Sequence, residues 1–234
     1  MNRPALVLAA AALATCSDFT TTDGGIASIE VFAPSPAEVE VGVAVQLRAV
    51  ARNTEGDSLD IPIYWRSLDT TIAVDSTLGQ VSGLTAGQTG RVVARAEDLY
   101  SSPVTFTVLS PADTVVRVTD SAVTVAAAET ASPELVVRLD AGDPAQPVPG
   151  WRVTYDVIAP GFATPDDRTV EFPGGLLAIA PRSSAAGTPE PAVTLQRRIG
   201  QTQPDTALVR VTVYRPDGTA VAGSGLLFYV LFEN

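Results

Sequence analysis

From Ala27 onward, apolar and polar residues alternate in short runs bounded by Gly, Pro, Asp and Asn, the period-two pattern of half-buried strands. In VAVQLRAVAR, Val43, Val45, Leu47 and Ala49 share one face, with Gln46 and Arg48 on the other. Ile61, Ile63 and Trp65 alternate with Tyr64 and Arg66. Val92, Ala94 and Ala96 alternate with Arg91, Val93 and Arg95, and Val104, Phe106 and Val108 line the inner side of PVTFTVL. The second half reads the same way. Leu135, Val137 and Leu139 form one inward set, Trp151, Val153, Tyr155 and Val157 a second, and Ala207, Val209, Val211 and Val213 a third; Pro216-Asp217-Gly218 supplies a hairpin turn. Helical spacing is sustained only near the N-terminus. The pattern predicts an all-β chain of sandwich or barrel type.

The N-terminal exception is LVLAAAALATCSDF. Arg3 precedes an uninterrupted apolar run, Leu6 to Ala14, followed by small residues: the layout of an export signal, too short for the roughly 20 residues a spanning helix needs. The single cysteine of the chain, Cys16, ends this stretch. Leu13-Ala14-Thr15-Cys16 resembles the lipobox of bacterial lipoproteins, in which the cysteine becomes the acylated first residue of the mature chain. Thr15 departs from the Gly, Ala or Ser of that pattern, and a plain signal whose cut falls beside a cysteine is the alternative. Acylation would consume a thiol that otherwise stands unpaired in an oxidising compartment, and two or more acyl chains give stable membrane attachment. The resemblance implies residues 1–15 as signal peptide and 16–26 as lipidated cysteine and polar tether. With Ser17 after the cysteine, it implies export to the cell envelope at the outer membrane.

Residues 27–110 resemble a bacterial immunoglobulin-like domain of group 2, the BIG2 type. The resemblance rests on YWRSLDTTIAVDSTLGQVSGLTAG, with its W-x-S-x-D, A-V-D and G-x-V-x-G-L spacing, framed by VQLRAVA and a closing RVVARA…VTFTV. It implies a β-sandwich in which Trp65 fills the space between sheets. Gly79 and Gly83 then sit at corners too tight for a Cβ. Ser110-Pro111 interrupts the pattern and reads as a short hinge. Residues 111–234 resemble a second, more divergent bacterial Ig-like domain, PVPGWRVTYDV being similar to the strand after a proline-glycine turn in the invasin-like group. Within 159–191, TVEFPGGLLAIA reads as two strands and PRSSAAGTPEP as a loop. The expected fold is two tandem Ig-like β-sandwich domains after a lipoprotein signal.

Composition narrows the chemistry. The 234 residues contain no His and a net charge of −11; all 15 basic residues are Arg. Loss of Arg3 with the signal would make the charge more negative still, which argues against nucleic acid as a partner. Without His, a Ser or Cys nucleophile lacks its usual base and a His/Cys zinc site cannot form; no phosphate-binding glycine loop is present. Asp140 with Asp143, and Asp166 with Asp167, are carboxylate pairs in turn settings that suit Asp structurally. The sequence therefore predicts no catalytic residues, no metal site and no cofactor.

Trp65 and Trp151 fall on inward faces and are expected in cores rather than on sugar-stacking platforms. Tyr64, Tyr100, Phe162 and Tyr214 are placed for surface contact but scattered in sequence. The final strand is apolar on both sides: Leu226, Phe228, Val230 and Phe232 on one, Leu227, Tyr229 and Leu231 on the other. Either the 159–191 segment covers the second side or it is a contact patch. The expected role is a non-enzymatic, lipid-anchored surface protein acting as stalk or adhesion module. Alternatives are a carbohydrate- or matrix-binding module and a part of an envelope assembly. Its partners are the membrane, through Cys16, and an unidentified protein or glycan.

Overall fold

A computed structural model describes residues 25–162, 164–198 and 206–233. The signal, the lipobox residues Leu13, Ala14 and Thr15, and Cys16 lie outside the described residues. Among the described residues the structure is all-β apart from one short 3-10 turn, Pro165–Asp167, and holds two separate hydrophobic cores.

The first core lies between facing sheets. In one, Thr89–Ala96 is central. Tyr64–Ser67 pairs along one side; Val104–Leu109 and the short Leu99–Tyr100 strand pair along the other. Glu38–Glu40 then adds in parallel to Val104–Leu109, with Val39 opposite Val108. The opposing strands are Ser28–Phe32, Arg48–Arg52 and Ser58–Leu59, and Ala44–Gln46, Gln80–Gly83 and Ile72–Val74. Val39, Val45, Leu47, Trp65, Ile72, Val81, Val92, Ala94, Phe106 and Val108 fill the space between.

The W-x-S-x-D, A-V-D and glycine positions each have a structural task here. A Cβ on Gly79, at φ +69°, would lie 2.6 Å from Trp65 Nε1, and one on Gly83 would lie 2.4 Å from Val108 Cγ1. Ser67 Oγ donates to Asp69 O, at 2.5 Å, and to Ile72 O, at 3.0 Å. Asp69 clamps Arg91 through Nε and Nη2, at 2.9 and 3.0 Å. Asp75 closes the turn before Gly79 by accepting from the N–H groups of Thr77 and Leu78.

The second core is covered by a five-stranded sheet in the order Ala122–Val125, Leu226–Phe232, Thr206–Thr212, Thr154–Ala159, Ala178–Ile179. Across it lie Thr114–Arg117, Val137–Ala141 and Gln146–Pro147. Trp151, Tyr155, Phe172, Phe228, Leu135 and Leu139 are its largest buried side chains. Tyr155 donates its hydroxyl to Leu135 O at 2.9 Å, so its one polar atom is satisfied inside the core.

The 159–191 segment contains the two strands read from TVEFPGGLLAIA, Val170–Glu171 and Ala178–Ile179. The stretch read as a loop, 181–191, is itself a hairpin: Arg182–Ser183 pairs with Pro189–Glu190. Its strands are only two residues long, too short to show a period.

Candidate functional site

Three places on the molecule gather polar or exposed side chains: the joint between the two cores, the outer face of the second sandwich, and the outer face of the first.

At the joint, Glu38 and Glu40 share the outward side of Glu38–Glu40, because Val39 between them points into the first core. Each carboxylate is taken by an arginine of the second half. Arg215 Nη1 donates to Glu40 Oε1, and Arg215 Nη2 donates to Ala112 O at 2.7 Å. The Ala112 N–H also donates to Glu40 Oε1, at 3.3 Å. Arg182 Nη2 donates to Glu38 Oε1, and its Nη1 to Gly150 O at 2.5 Å. Trp151 Nε1 donates to Ser110 O at 2.9 Å. Leu109, last residue of a first-sandwich strand, packs into the second core with Ala112. The Ser110-Pro111 step, expected to be a hinge, is instead gripped from both sides. The reason is long-range: the gripping groups lie at positions 40, 151 and 215, beyond any local signal.

Two clefts flank this joint. One, of about 220 Å³, is lined by Pro34, Pro36, Trp151, Arg152, Tyr214 and Arg215. The other, of about 420 Å³, is lined by Thr107, Ser110, Pro149, Gly150 and Arg182 among others.

On the second sandwich, the side of Leu226–Phe232 that faces away from the core presents Tyr229 and Leu231, 45% and 39% exposed; Leu227 is half-buried. The 159–191 segment does not lie over them. Its strand Ala178–Ile179 extends the far edge of the same sheet, beyond Thr154–Ala159. Leu208 stands directly across from Tyr229.

On the first sandwich, Tyr64, Arg95 and Tyr100 form one row across three strands: Tyr64 pairs with Arg95, and Arg95 with Tyr100. Residues scattered in sequence are brought together by the central position of Thr89–Ala96. Arg95 lies over the Tyr100 ring, 5.5 Å from its centroid. Phe162 and Tyr214 do not join them; Phe162 packs against the second core.

One member of each carboxylate pair is held by a neighbouring residue. Asp140 is bound by Arg138 at 2.8 to 3.1 Å, and Asp167 accepts from Thr164 N and Oγ1. Among the described residues no three metal-ligating side chains cluster, and no helix is long and apolar enough to cross a membrane. Both tryptophans are buried, Trp65 at 7% and Trp151 at 1% exposure.

The fold therefore defines the class: an all-β protein of tandem immunoglobulin-like sandwiches. No protein-family profile matches the chain, and no curated protein matches it. Among solved structures it is similar to the Yersinia pseudotuberculosis adhesin InvE, at 13% identity and a TM-score of 0.41, over 88% of this chain and 59% of that one. The chain thus spans well under two thirds of the InvE structure. It is also similar to the D00-D0 domain of intimin, at 16% identity, TM-score 0.30, 88% of this chain and 100% of that one. A third is Drosophila OTK extracellular domains 3-5, at 14% identity, TM-score 0.32, with 89% and 62% covered.

Proposed function

We propose that this chain is a non-enzymatic envelope lipoprotein whose two Ig-like sandwiches, the first of BIG2 type, act together as a short stiff stalk and interaction module. Residues 1–15 are its signal peptide, Cys16 its lipid-bearing residue, 16–26 its tether, and 27–110 and 111–234 its domains. It is held at the outer membrane by the acyl chains on Cys16. The observation that carries this reading is the Glu40–Arg215 contact, with Glu38–Arg182 and Trp151–Ser110 beside it: a chain that served only to link two independent modules would have no use for a buried ion pair across the joint. Titratable groups engaged in fixed structural contacts, and the lack of His, support a role without catalysis.

Two measurements test it. Cys16→Ser should move the protein from the membrane to the soluble fraction of the envelope; unchanged fractionation sinks the anchor. Small-angle scattering of that soluble form should fit one rigid shape, and Glu40→Ala with Arg182→Ala should broaden the distribution of shapes. A second reading, a component of an envelope assembly, is favoured by the uncovered Leu227, Tyr229 and Leu231 side. In that case a crosslinker placed at Tyr229 captures an envelope protein, and Tyr229→Ser with Leu231→Ser abolishes the capture.

A further inference from the structure

The outer face of the first sandwich carries a group of side chains that the stalk does not require. Beside the Tyr64–Arg95–Tyr100 row lies a second row, Arg66 across from Val93, and then Leu68 beside Arg91. Tyr64, Tyr100 and Leu68 are 51%, 47% and 40% exposed, whereas Val93 at the centre is 4% exposed. Val93 points outward and yet is buried, so its neighbours on this face cover it. Three of the five arginines between positions 27 and 110 stand on this one face.

These three guanidinium groups are not equivalent. Arg91 is committed, held by both oxygens of Asp69. Arg95 makes one firm bond, Nε to Glu97 O at 2.6 Å, and its Nη2 lies 3.4 Å from a fully exposed Asp98 carboxylate, a contact of little strength in water. Arg66 is exposed and has no ion pair among the described residues. The Arg66 fork is therefore open to an incoming carboxylate, and Arg95, stacked on Tyr100 with its Nε committed, keeps its Nη1 for one; the chain has no lysine that could serve as a less directional substitute.

The rings define the shape of the ligand. Adjacent strands are about 4.8 Å apart, so Tyr64 and Tyr100, one strand to each side of Arg95, are about 10 Å apart. Rings so placed, with a guanidinium between them, cannot both stack on one monosaccharide; they suit successive units of a chain. The exposed apolar groups, two tyrosine rings and Leu68, are set apart by arginines rather than gathered around a pocket, which is unlike the packed centre of a protein–protein hot spot. The overall charge of −11 does not forbid an anion here, because at physiological salt fields decay over about 8 Å.

We infer that this face, Tyr64, Arg66, Arg95 and Tyr100, binds an acidic oligosaccharide, its sugar faces on the two tyrosine rings and its carboxylates on Arg66 and Arg95. This deepens the interaction-module reading by naming a site and a ligand class. The test is an NMR titration of the full chain carrying Cys16→Ser with a tetrasaccharide of galacturonic acid, alongside its neutral galactose counterpart. The acidic sugar should shift the amides of residues 64–66, 93–95 and 99–100. Tyr64→Ala with Tyr100→Ala should weaken binding about tenfold or more, and Arg66→Gln about fivefold, about 1.4 and 1 kcal/mol. All four side chains are exposed, and an unchanged melting temperature confirms that the variants fold. Absence of shifts at millimolar sugar, equal binding of the neutral sugar, unchanged affinity in the tyrosine variant, or a protein as the sole occupant of the face overturns the inference. A blank titration beside a rigid scattering profile rejects the sugar site and leaves the stalk standing.

Discussion

Arg215 donates to the carboxylate of Glu40, a residue 175 positions earlier in the chain, and so joins two sandwiches that share no sheet. The Glu40 side chain is 1% exposed and that of Arg215 is 22% exposed. A charge so far removed from water needs its partner, and removing one member leaves the other uncompensated.

Arg215→Ala is therefore expected to destabilise the protein by about 3 kcal/mol, the low end of the range for a broken buried pair because Arg215 keeps some contact with water. Arg182→Ala, at a pair whose arginine side chain is 45% exposed, should cost about 1 kcal/mol or less. Glu40→Met combined with Arg215→Met should return to within about 1 kcal/mol of the parent, since both charges then leave together. Urea midpoints of the four proteins check the ranking. Equal losses for Arg215→Ala and Arg182→Ala would show that burial is not what sets the strength of the joint.

Gly79→Ala is expected to cost about 2–5 kcal/mol, from a left-handed backbone at φ +69° and from a Cβ driven against the Trp65 indole. Gly56→Ala is the control. It has a similar backbone, φ +91°, with open space around it, and should cost about 1 kcal/mol. Trp65 fluorescence reports the first substitution directly: its emission should shift toward that of a wetter indole.

The Asp75 carboxyl is held below the usual carboxylate range by the backbone N–H of Leu78 first and then by the N–H and hydroxyl of Thr77. The Arg91 guanidinium does the same to Asp69, and the Thr219 N–H to Asp217. A lowered folded pKa means stability that is present above the unfolded value of about 3.9 and is lost as pH falls through the folded value. Asp75→Asn keeps an acceptor and loses the titration, so its stability should fall less steeply than that of the parent below about pH 4. Carboxyl carbon NMR should place the Asp75 midpoint below the reference; a midpoint above it would contradict the turn geometry.

Burial pushes the Tyr155 hydroxyl pKa well above its ordinary value. The sign is opposite to that of the aspartates: the contribution is complete below the unfolded value of about 10 and is lost as pH rises toward the folded one. In an alkaline ultraviolet titration, the tyrosinate signal of Tyr155 should appear only with unfolding. Tyr155→Phe should cost about 1–3 kcal/mol, because Leu135 O is then left without its donor inside the core.

Much of this architecture is legible along the chain. Alternation placed Val45, Leu47 and Ala49, and likewise Trp151, Val153 and Tyr155, on their correct inner faces. Strand sterics and burial act between neighbours two residues apart, and that period is written locally. The motif Trp65-x-Ser67-x-Asp69 was visible for the same reason, since its bonds stay within a few residues or one strand pair. Arg66 and Arg95 were equally visible as outward residues, but an outward charged residue looks the same whether water, a partner domain or a ligand faces it.

By itself, then, the sequence determined which residues turn inward and where the chain must bend at Gly79. Only the tertiary structure decided that Glu40 meets Arg215, that Trp151 fixes Ser110, and that Tyr64 stands beside Arg95. Such pairings depend on which strands lie side by side and how the two sandwiches abut, and contacts across 31 to 175 positions leave no period in the sequence.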